Sequence, residues 1–458
     1  MEEDSANDKR EKKSNNKVVS RSMKSVWHPC TQMKQHEQFP LVPIERGEGV
    51  WLIDFEGKRY LDAVSSWWVN LFGHANGRIN AALKDQIDQL EHVMLAGFTH
   101  EPVIALSERL GRLTGLGHVF FGSDGASAVE IALKMSFHYW RNAGKTGKTK
   151  FISLEGSYHG ETIGALAVTD VAIFRDAYGP LLNNNLRVPF PGEKYLDPAL
   201  ARLSKANSPE TRANAGVSLE ALSTLLANQH DDIAAFIVEP LVQGAAGMRM
   251  YHADYLRAAR ALCDQHGVHL IADEIMTGFG RTGTMFAYEQ AGILPDFVCL
   301  SKGLTGGYLP LSCVLTSDRV YDAFYDDAVA RAFLHSHSYT GSALACRAAL
   351  ATLDIFETDD VLVTNRQKAT RFSAHADAIR LHESVENFRH LGMIWAFDVK
   401  AAKPGFAREF FAAALQRGAL LRPIGSTVYF MPPYVIEEDE FVWLVGQTID
   451  VLNELCAR

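Results

Sequence analysis

The sequence predicts an α/β protein with a mostly parallel central sheet flanked by helices, together with a smaller α+β domain. Between residues 118 and 316, short apolar runs alternate with segments of helical periodicity. This alternation is typical of strand–helix–strand crossovers in a parallel sheet. After about residue 350 the pattern changes to long helical segments and two short apolar runs, GMIWAFDV and STVYFMPP. The change indicates a second structural unit.

The strands of the central sheet are predicted from six short apolar runs. We expect them at 118–121, 150–155, 232–240, 268–275, 296–302 and 311–316. Between the first two, apolar residues recur on one helix face at i, i+3, i+4, i+8 and i+11, namely Val129, Ala132, Leu133, Phe137 and Trp140. The small, polar stretch 201–216 is interpreted as a surface excursion.

The domain boundaries follow from the same pattern. Residues 1–24 are polar and lack hydrophobic periodicity, so they are predicted to be a flexible leader. We expect residues 62–350 to form the large domain. The smaller domain is expected to consist of residues 351–458 and an N-terminal segment, 25–61.

Composition excludes several classes of protein. Of the 458 residues, 47% are hydrophobic and 22% are charged, which is typical of globular proteins and not of disordered or fibrous ones. The net charge of −9 argues against nucleic-acid binding, and no apolar run reaches the length of a membrane span. Six cysteines without a C-x-x-C pair favour reduced thiols over disulfides or zinc. We therefore expect a cytoplasmic protein.

The string GFGRTG (278–283) matches the G-x-G-x-x-G pattern of dinucleotide-binding proteins. A true fingerprint follows the first strand of a βαβ unit, and the next strand ends in an acidic residue. Here the string lies more than halfway along the chain, and the next predicted strand ends in Ser301 and Lys302. This context argues against a nicotinamide or flavin nucleotide.

Charged residues stand at the ends of two neighbouring predicted strands, Asp273 on one and Lys302 on the next. Ligands bind outside the carboxyl ends of such strands, and an unpaired charge among apolar neighbours would be costly. Either residue alone could be a solvated surface residue, but the two together favour a site. A lysine that forms a Schiff base and a carboxylate that keeps a ring nitrogen protonated are the groups that pyridoxal 5′-phosphate requires.

Two further strand ends supply what else this cofactor needs. FFGSDGASAVE (120–130) combines a strand, a glycine turn and a helix N-terminus, a common place for a phosphate. GSYHG (156–160) puts Tyr158 where it can stack on a ring, with His159 expected to be structural. The pair of histidines in HSHS (335–338) has no convergent cysteine or carboxylate at ligand spacing, so we expect no metal.

The segments IADEIMTGFGRTG (271–283) and SKGLTGGYLPLS (301–312) resemble the signature of the class III, fold-type-I aminotransferases. The resemblance extends over nearly the whole chain from about residue 25. Four segments, WHPCTQM, SSWWVNLFGH, EPLVQGAAGMRMYH and LRPIGSTVYFMPPY, resemble the members that aminate 8-amino-7-oxononanoate with S-adenosylmethionine in biotin biosynthesis. An ω-amino acid aminotransferase or an aminomutase of the same fold is the alternative.

The resemblance implies a role for each matching position around the cofactor. Lys302 would be the Schiff-base lysine and proton carrier, and Asp273 would pair with the ring nitrogen. The backbone amides of Asp124, Gly125 and Ala126 would bind the phosphate. The carboxylate of Asp124 is expected to point away from the phosphate or to cap the helix. Tyr158 would stack near the ring and contact the substrate.

The resemblance also implies substrate and subunit contacts. Trp67 would line the substrate channel, and Arg422 would bind a substrate carboxylate. The loop Ser336-His337-Ser338 would reach into the neighbouring subunit of a homodimer, with Ser336 near the substrate and His337 and Ser338 near the phosphate. Cys30 stands where the family often has a tyrosine that helps to recognise the amino donor. Lysine therefore remains an alternative donor.

Overall fold

The computed structural model of the chain describes residues 14–39, 41–192 and 209–456. Its strands are β1 Ile44–Glu48, β2 Trp51–Asp54, β3 Arg59–Asp62, β4 His118–Gly122, β5 Lys150–Leu154, β6 Leu186–Val188, β7 Ile233–Val238, β8 Val242–Gln243, β9 Arg249–Met250, β10 His269–Asp273, β11 Phe297–Leu300, β12 Ser312–Thr316, β13 Val385–Leu391, β14 Ile394–Val399, β15 Ala419–Leu420 and β16 Thr427–Phe430.

The α-helices are α1 Asn15–Ser25, α2 Gly77–Ile87, α3 Glu101–Thr114, α4 Gly125–Asn142, α5 Ile163–Val168, α6 Ala172–Arg175, α7 Pro209–Gln229, α8 Ala253–His266, α9 Asp318–Asp322, α10 Ala343–Thr358, α11 Val361–Arg380, α12 Phe406–Gln416 and α13 Glu438–Cys456. No helix among the described residues is long and apolar enough to cross a membrane.

The central sheet has seven strands in the order β4-β12-β11-β10-β7-β5-β6. Strand β12 runs antiparallel to both of its neighbours, and the remaining pairs are parallel. Every residue of β7, β10 and β11 is buried, which explains why these strands appear in the sequence as continuous apolar runs. The predicted mostly parallel sheet and its six strands are confirmed, while the short strand β6 was not predicted.

Helix α4 packs its apolar face on this sheet. Val129, Ala132 and Leu133 are buried there, as the helical spacing predicts, and so is Trp140. The Asp124 side chain caps the helix by accepting from Ser127 N at 2.9 Å. The cap fixes the start of α4 directly beyond the end of β4.

Two smaller sheets bring the beginning and the end of the chain together. In the sheet β1-β2-β3-β15, Leu61 of β3 pairs in parallel with Ala419 of β15. Strands β13, β14 and β16 form an antiparallel sheet of their own. Strand β3, near the beginning of the chain, thus pairs directly with β15, near its end.

Two segments that were predicted to lack regular structure are helical where the structure describes them. Helix α1 occupies 15–25 of the predicted leader, and Asn15 Nδ2 anchors it by donating to Asp54 Oδ2 at 3.0 Å. Helix α7 includes 209–216 of the predicted surface excursion, because Leu222 and Leu226, one turn apart, are buried in the core. Residues 1–13 and 201–208 lie outside the described residues.

A left-handed turn at Ser65–Trp68 was also unforeseen. Its four residues have φ values of 51°, 47°, 72° and 71°, a conformation that costs a non-glycine residue about 1–2 kcal/mol. Tertiary contacts hold the turn: Ser65 Oγ donates to Met431 O at 2.7 Å, and the Asp62 carboxylate accepts from Ser66 N at 2.9 Å and from Ser66 Oγ at 2.7 Å.

Candidate functional site

The carboxyl ends of β10 and β11 place Asp273 and Lys302 at one edge of the central sheet. Asp273 lies in register with Cys299, three residues before Lys302. Lys302 has a φ of 46°, a left-handed conformation that directs it away from the strand path. Burial lowers the pKa of the Lys302 amine, and the carboxylates of Asp273 and Glu239 oppose that shift. A lowered pKa increases the fraction of neutral amine, the form that can act as a nucleophile or accept a proton.

A buried histidine orients the Asp273 carboxylate. His159 Nδ1 lies 2.7 Å from Asp273 Oδ2, and the exposed fractions of the two side chains are 0% and 5%. The other carboxylate oxygen accepts from Ile275 N at 3.2 Å. We predicted a structural role for His159, and the structure shows that the residue it supports is the candidate catalytic carboxylate. In the sequence, the position of His159 beside Tyr158 at a strand end indicated that it lies near the site, but did not indicate its partner.

Glu239, at the end of β7, is a second buried carboxylate that the sequence did not single out. Its Oε1 accepts from Tyr158 N at 2.9 Å, and its Oε2 accepts from Gly244 N at 3.0 Å. Burial raises its pKa to about 7, and the charge of Asp273 adds to the shift. Glu239 thereby ties the Tyr158 segment to the strand next to Asp273.

The N-terminus of α4 lies against the segment that follows Asp273. A Cβ on Gly125 would come within 3.0 Å of Ile275 Cγ2, and a Cβ on Gly160 would come within 2.6 Å of Ala126 Cβ. Because the first N–H groups of a helix lack intrahelical acceptors, Gly125 and Ala126 present two donors at this edge. The Asp124 carboxylate caps the helix, as expected, by accepting a hydrogen bond from Ser127 N.

The left-handed turn sends two neighbouring indoles toward different side chains of the site. The Lys302 Nζ atom lies 4.9 Å from the centre of the Trp68 ring, and Arg422 Cζ lies 4.6 Å from the centre of the Trp67 ring. Trp68 Nε1 donates to Tyr429 Oη at 3.1 Å, which fixes the first indole. Trp67 therefore packs against Arg422, while its neighbour Trp68 faces Lys302.

Cys30 lies near the same arginine. The pKa of its thiol is raised by burial and by the charge of Glu161, and Arg422 acts in the opposite direction. Tyr158 Oη donates to Glu161 Oε1 at 2.8 Å. Tyr158 thus contacts a carboxylate, Glu161, that sequence reasoning missed and whose charge also acts on Cys30.

The predicted intersubunit loop lies over the start of α4. His337 Nδ1 is 3.2 Å from Ser123 Oγ, and His337 N donates to Thr340 Oγ1 at 2.9 Å. Ser336 and Ser338 are exposed. In the described part of the chain, no group of three or more His, Cys, Asp or Glu side chains is arranged to hold a metal ion.

The GFGRTG string has a structural role. Arg281 is buried, and its guanidinium donates to Pro432 O at 2.7 Å and to Asn70 O at 3.1 Å. It also lies 4.8 Å from the centre of the Tyr434 ring. The glycines at 280 and 283 have φ values of 87° and 102°, which explains the requirement for glycine there. The string therefore connects β16 to the end of the left-handed turn.

Comparisons with known proteins agree with this geometry. The model of the aminotransferase class-III family matches residues 31–452. The adenosylmethionine-8-amino-7-oxononanoate aminotransferase of Helicobacter pylori is 47% identical over 445 residues, which cover 96% of this chain and 98% of the relative.

Solved structures give the same result. The adenosylmethionine-8-amino-7-oxononanoate aminotransferase from Methanocaldococcus jannaschii has a TM-score of 0.87 at 34% identity, covering 96% of this chain and 99% of that one. A PLP-bound amine transaminase from an uncultivated Pseudomonas species has a TM-score of 0.85 at 32% identity, covering 94% and 98%. The predicted fold-type-I architecture and the family resemblance are confirmed: the chain belongs to the class III aminotransferases.

Proposed function

We propose that this chain transfers the amino group of S-adenosylmethionine to 8-amino-7-oxononanoate in biotin biosynthesis, with pyridoxal 5′-phosphate as cofactor. The product is 7,8-diaminononanoate. The observation that carries the proposal is one sheet edge that holds Asp273 and Lys302, with Trp67 and Arg422 beside it. The names of the most similar relatives support the substrate assignment.

The residues at this edge fit the cofactor. Gly125 and Ala126 offer helix N-terminal amides for the phosphate, and no acidic residue lies in the first turn of α4. Gly160 permits a close approach that a side chain would block, because its Cβ would meet Ala126. When bound, pyridoxal phosphate supplies an aldehyde carbon that accepts the donor nitrogen and a ring that delocalises an electron pair.

Lys302 is the proton carrier. Burial lowers the pKa of its amine, which favours the neutral form. In that form Nζ can accept a proton from the donor carbon in one half-reaction, and it can deliver a proton to the acceptor carbon in the other. The Trp68 ring, 4.9 Å from Nζ, stabilises the ammonium while it holds the proton. Lys302 thus has a partner for its charged form as well as a desolvated pocket for its neutral form.

Asp273 supplies a fixed negative charge for the ring nitrogen. His159 donates to Oδ2 at 2.7 Å and leaves Oδ1 with the backbone contact to Ile275 N. The carboxylate is therefore held in one orientation before any ligand arrives. Such preorganised charge stabilises the transition state without reorganisation during the reaction.

Arg422 and Trp67 hold the carboxylate end of a substrate. The guanidinium stacks on the indole, 4.6 Å from its centre, which leaves the planar fork of N–H groups free to receive a carboxylate. Since 8-amino-7-oxononanoate carries its carboxylate far from the reacting ketone, one end can be bound at Arg422 while the other reacts at Lys302.

The donor subsite favours a cationic molecule. Tyr158 donates to Glu161, and the charge of Glu161 raises the pKa of the Cys30 thiol. An acidic group therefore faces the space that is open because Cys30 is smaller than a tyrosine. S-adenosylmethionine has a sulfonium and lysine has a second ammonium, and either cation suits Glu161. Lysine is therefore the second candidate donor.

The active unit in this proposal is a cytoplasmic homodimer. Exposed Ser338 and Ser336, beside a His337 that is anchored at Ser123, are the groups that a second copy would receive. A C2 pair, the commonest symmetric arrangement, would give each site one loop from the other subunit.

The donor test follows the visible absorbance of the cofactor-loaded enzyme. S-adenosylmethionine, lysine and β-alanine are added separately, and the product formed with 8-amino-7-oxononanoate is identified by mass spectrometry. We expect S-adenosylmethionine to change the spectrum and to yield the diamine, with Lys302→Ala as the inactive control. A response to β-alanine alone would replace this proposal with an ω-amino acid aminotransferase.

A further inference from the structure

A polar cleft on the far side of the GFGRTG stretch has no part in the proposed reaction. Its volume is about 380 Å³. It is lined by the loop at 282–284, by one face of α11 around Asn365 and Arg366, and by the hairpin turn at 391–393 between β13 and β14. Three separate segments of the chain therefore enclose one concave surface.

The floor of the cleft contains an unsatisfied amide. Asn365 is only 3% exposed, and its Nδ2 has no hydrogen-bond partner among the described residues. A buried donor without an acceptor is costly, and native structures contain few of them. An acceptor bound in the cleft would remove that cost.

Two further side chains of the cleft can also donate hydrogen bonds. Arg366 is exposed, and the contact from its Nη1 to Gly283 O is long, at 3.4 Å. Thr282 Oγ1 accepts from Gln290 Nε2 at 3.3 Å, which leaves the hydroxyl proton to donate. None of the described residues that line the cleft is acidic. The lining thus offers the Arg366 guanidinium, the unpaired Asn365 amide and the Thr282 hydroxyl as donors around a space without acidic side chains.

We propose that this cleft binds a small organic carboxylate, at a site separate from the one at Arg422. The planar guanidinium of Arg366 matches a carboxylate in a bidentate arrangement, and Asn365 and Thr282 can donate to the same or a second acceptor group. The ligand would connect α11 to the 282–284 loop.

The cleft is coupled to the site by the backbone beneath it. Gly392 packs so closely that a Cβ there would collide with the Thr282 carbonyl carbon, and Met393 N donates to Arg281 O at 2.9 Å. Arg281 in turn holds Asn70 O at the end of the left-handed turn. A ligand that fixes the 282–284 loop therefore stabilises the same contacts that position Trp67 and Trp68.

The test uses succinate as the probe and the full chain loaded with cofactor. Because Arg422 can itself bind carboxylates, all proteins carry Arg422→Gln, and binding is measured by calorimetric titration and by the succinate-dependent rise in the unfolding temperature. We expect Arg366→Gln to weaken succinate binding about tenfold or more, since a charge-assisted pair is lost, and Asn365→Ala to weaken it several-fold.

The matched control is Arg380→Gln. Arg380 lies at the other end of α11, roughly 21 Å along the helix at 1.5 Å per residue, in an exposed pair with Asp377 at 2.8 Å. It should leave succinate binding unchanged, and unfolding without ligand verifies that each variant is folded. Equal binding by the Arg366→Gln protein and its parent, or no binding by the parent, would overturn the proposal. Binding of inorganic phosphate but not succinate would overturn the carboxylate assignment.

Discussion

Replacing Asp273 by asparagine tests the role that the proposed mechanism gives to the negative charge of this side chain. The substitution keeps the shape of the side chain and removes its charge. The carbonyl oxygen of the new amide could still accept from Ile275 N, which now lies 3.2 Å from Oδ1. The His159 ring, now 2.7 Å from Oδ2, could accept from the amide nitrogen by changing its tautomer. We therefore expect the variant to fold and to retain the cofactor.

The expected loss of rate follows from burial. The side chains of Asp273 and His159 are 5% and 0% exposed, so bulk water does not screen the carboxylate. Two unit charges about 4 Å apart interact by about 4 kcal/mol at an effective dielectric constant of about 20. If most of that interaction is lost in the transition state, kcat/KM falls by about three orders of magnitude, at 1.36 kcal/mol per factor of ten.

The assay is a single-turnover half-reaction with the amino donor, followed by cofactor absorbance at matched cofactor content. Reconstitution with N-methylpyridoxal phosphate provides the control, because its ring nitrogen is permanently charged and no longer depends on the carboxylate. We expect this analogue to recover much of the lost rate in Asp273→Asn. A loss smaller than about tenfold, or no recovery with the analogue, would refute the assigned role of the charge.

Three further results are expected. Lys302→Ala should bind the cofactor noncovalently but show no turnover. Borohydride treatment followed by peptide mapping should find no cofactor attached to the variant. In the unchanged protein, cofactor attached to a different lysine would contradict the assignment. Glu274, directly after Asp273, is fully buried, and burial raises its pKa to about 7, above its unfolded value of about 4.3. The folded state therefore binds more protons between these values, and stability falls as pH rises through them. Glu274→Gln should flatten this fall in urea unfolding of the apoprotein between about pH 5 and pH 8; an unchanged slope would argue against the shift. Mixing Lys302→Ala with an inactive Ser338→Glu protein should restore part of the activity in hybrid dimers after subunit exchange, whereas a fully active monomer in sedimentation would rule out a shared site.

The sequence predicts the proposed catalytic pair, Asp273 and Lys302, because the pattern that indicates it is local. Asp273 is the last residue of one fully buried strand, and Lys302 closely follows another. The carboxyl ends of neighbouring parallel strands meet at one edge. No knowledge of distant contacts is needed to place these two side chains together. Arg422 and Trp67, in contrast, were identified only through the resemblance to a family.

The residues that support the pair depend on distant contacts, so the structural role predicted for His159 came without its partner and Glu239 was missed. His159 and Asp273 are 114 positions apart, and nothing near His159 distinguishes a partner of a catalytic carboxylate from a core histidine. The turn at Ser65–Trp68 contradicts local preference altogether, because four residues without glycine adopt positive φ. Contacts between residues far apart in the sequence, such as that of Ser65 with Met431, account for this turn.

The contact between Ser65 and Met431 also sets an order of assembly on the ribosome. Strands β4 to β12, with Asp273 and Lys302 at their edge, are complete once residue 316 has been synthesised. The left-handed turn must wait for Met431, which at about 5–20 residues per second is made roughly 10 s later. During that interval the nascent chain has Asp273 and Lys302, the two side chains proposed to contact the cofactor ring and aldehyde, but lacks fixed positions for Trp67 and Trp68. Capture of the cofactor can therefore precede the ability to select a substrate.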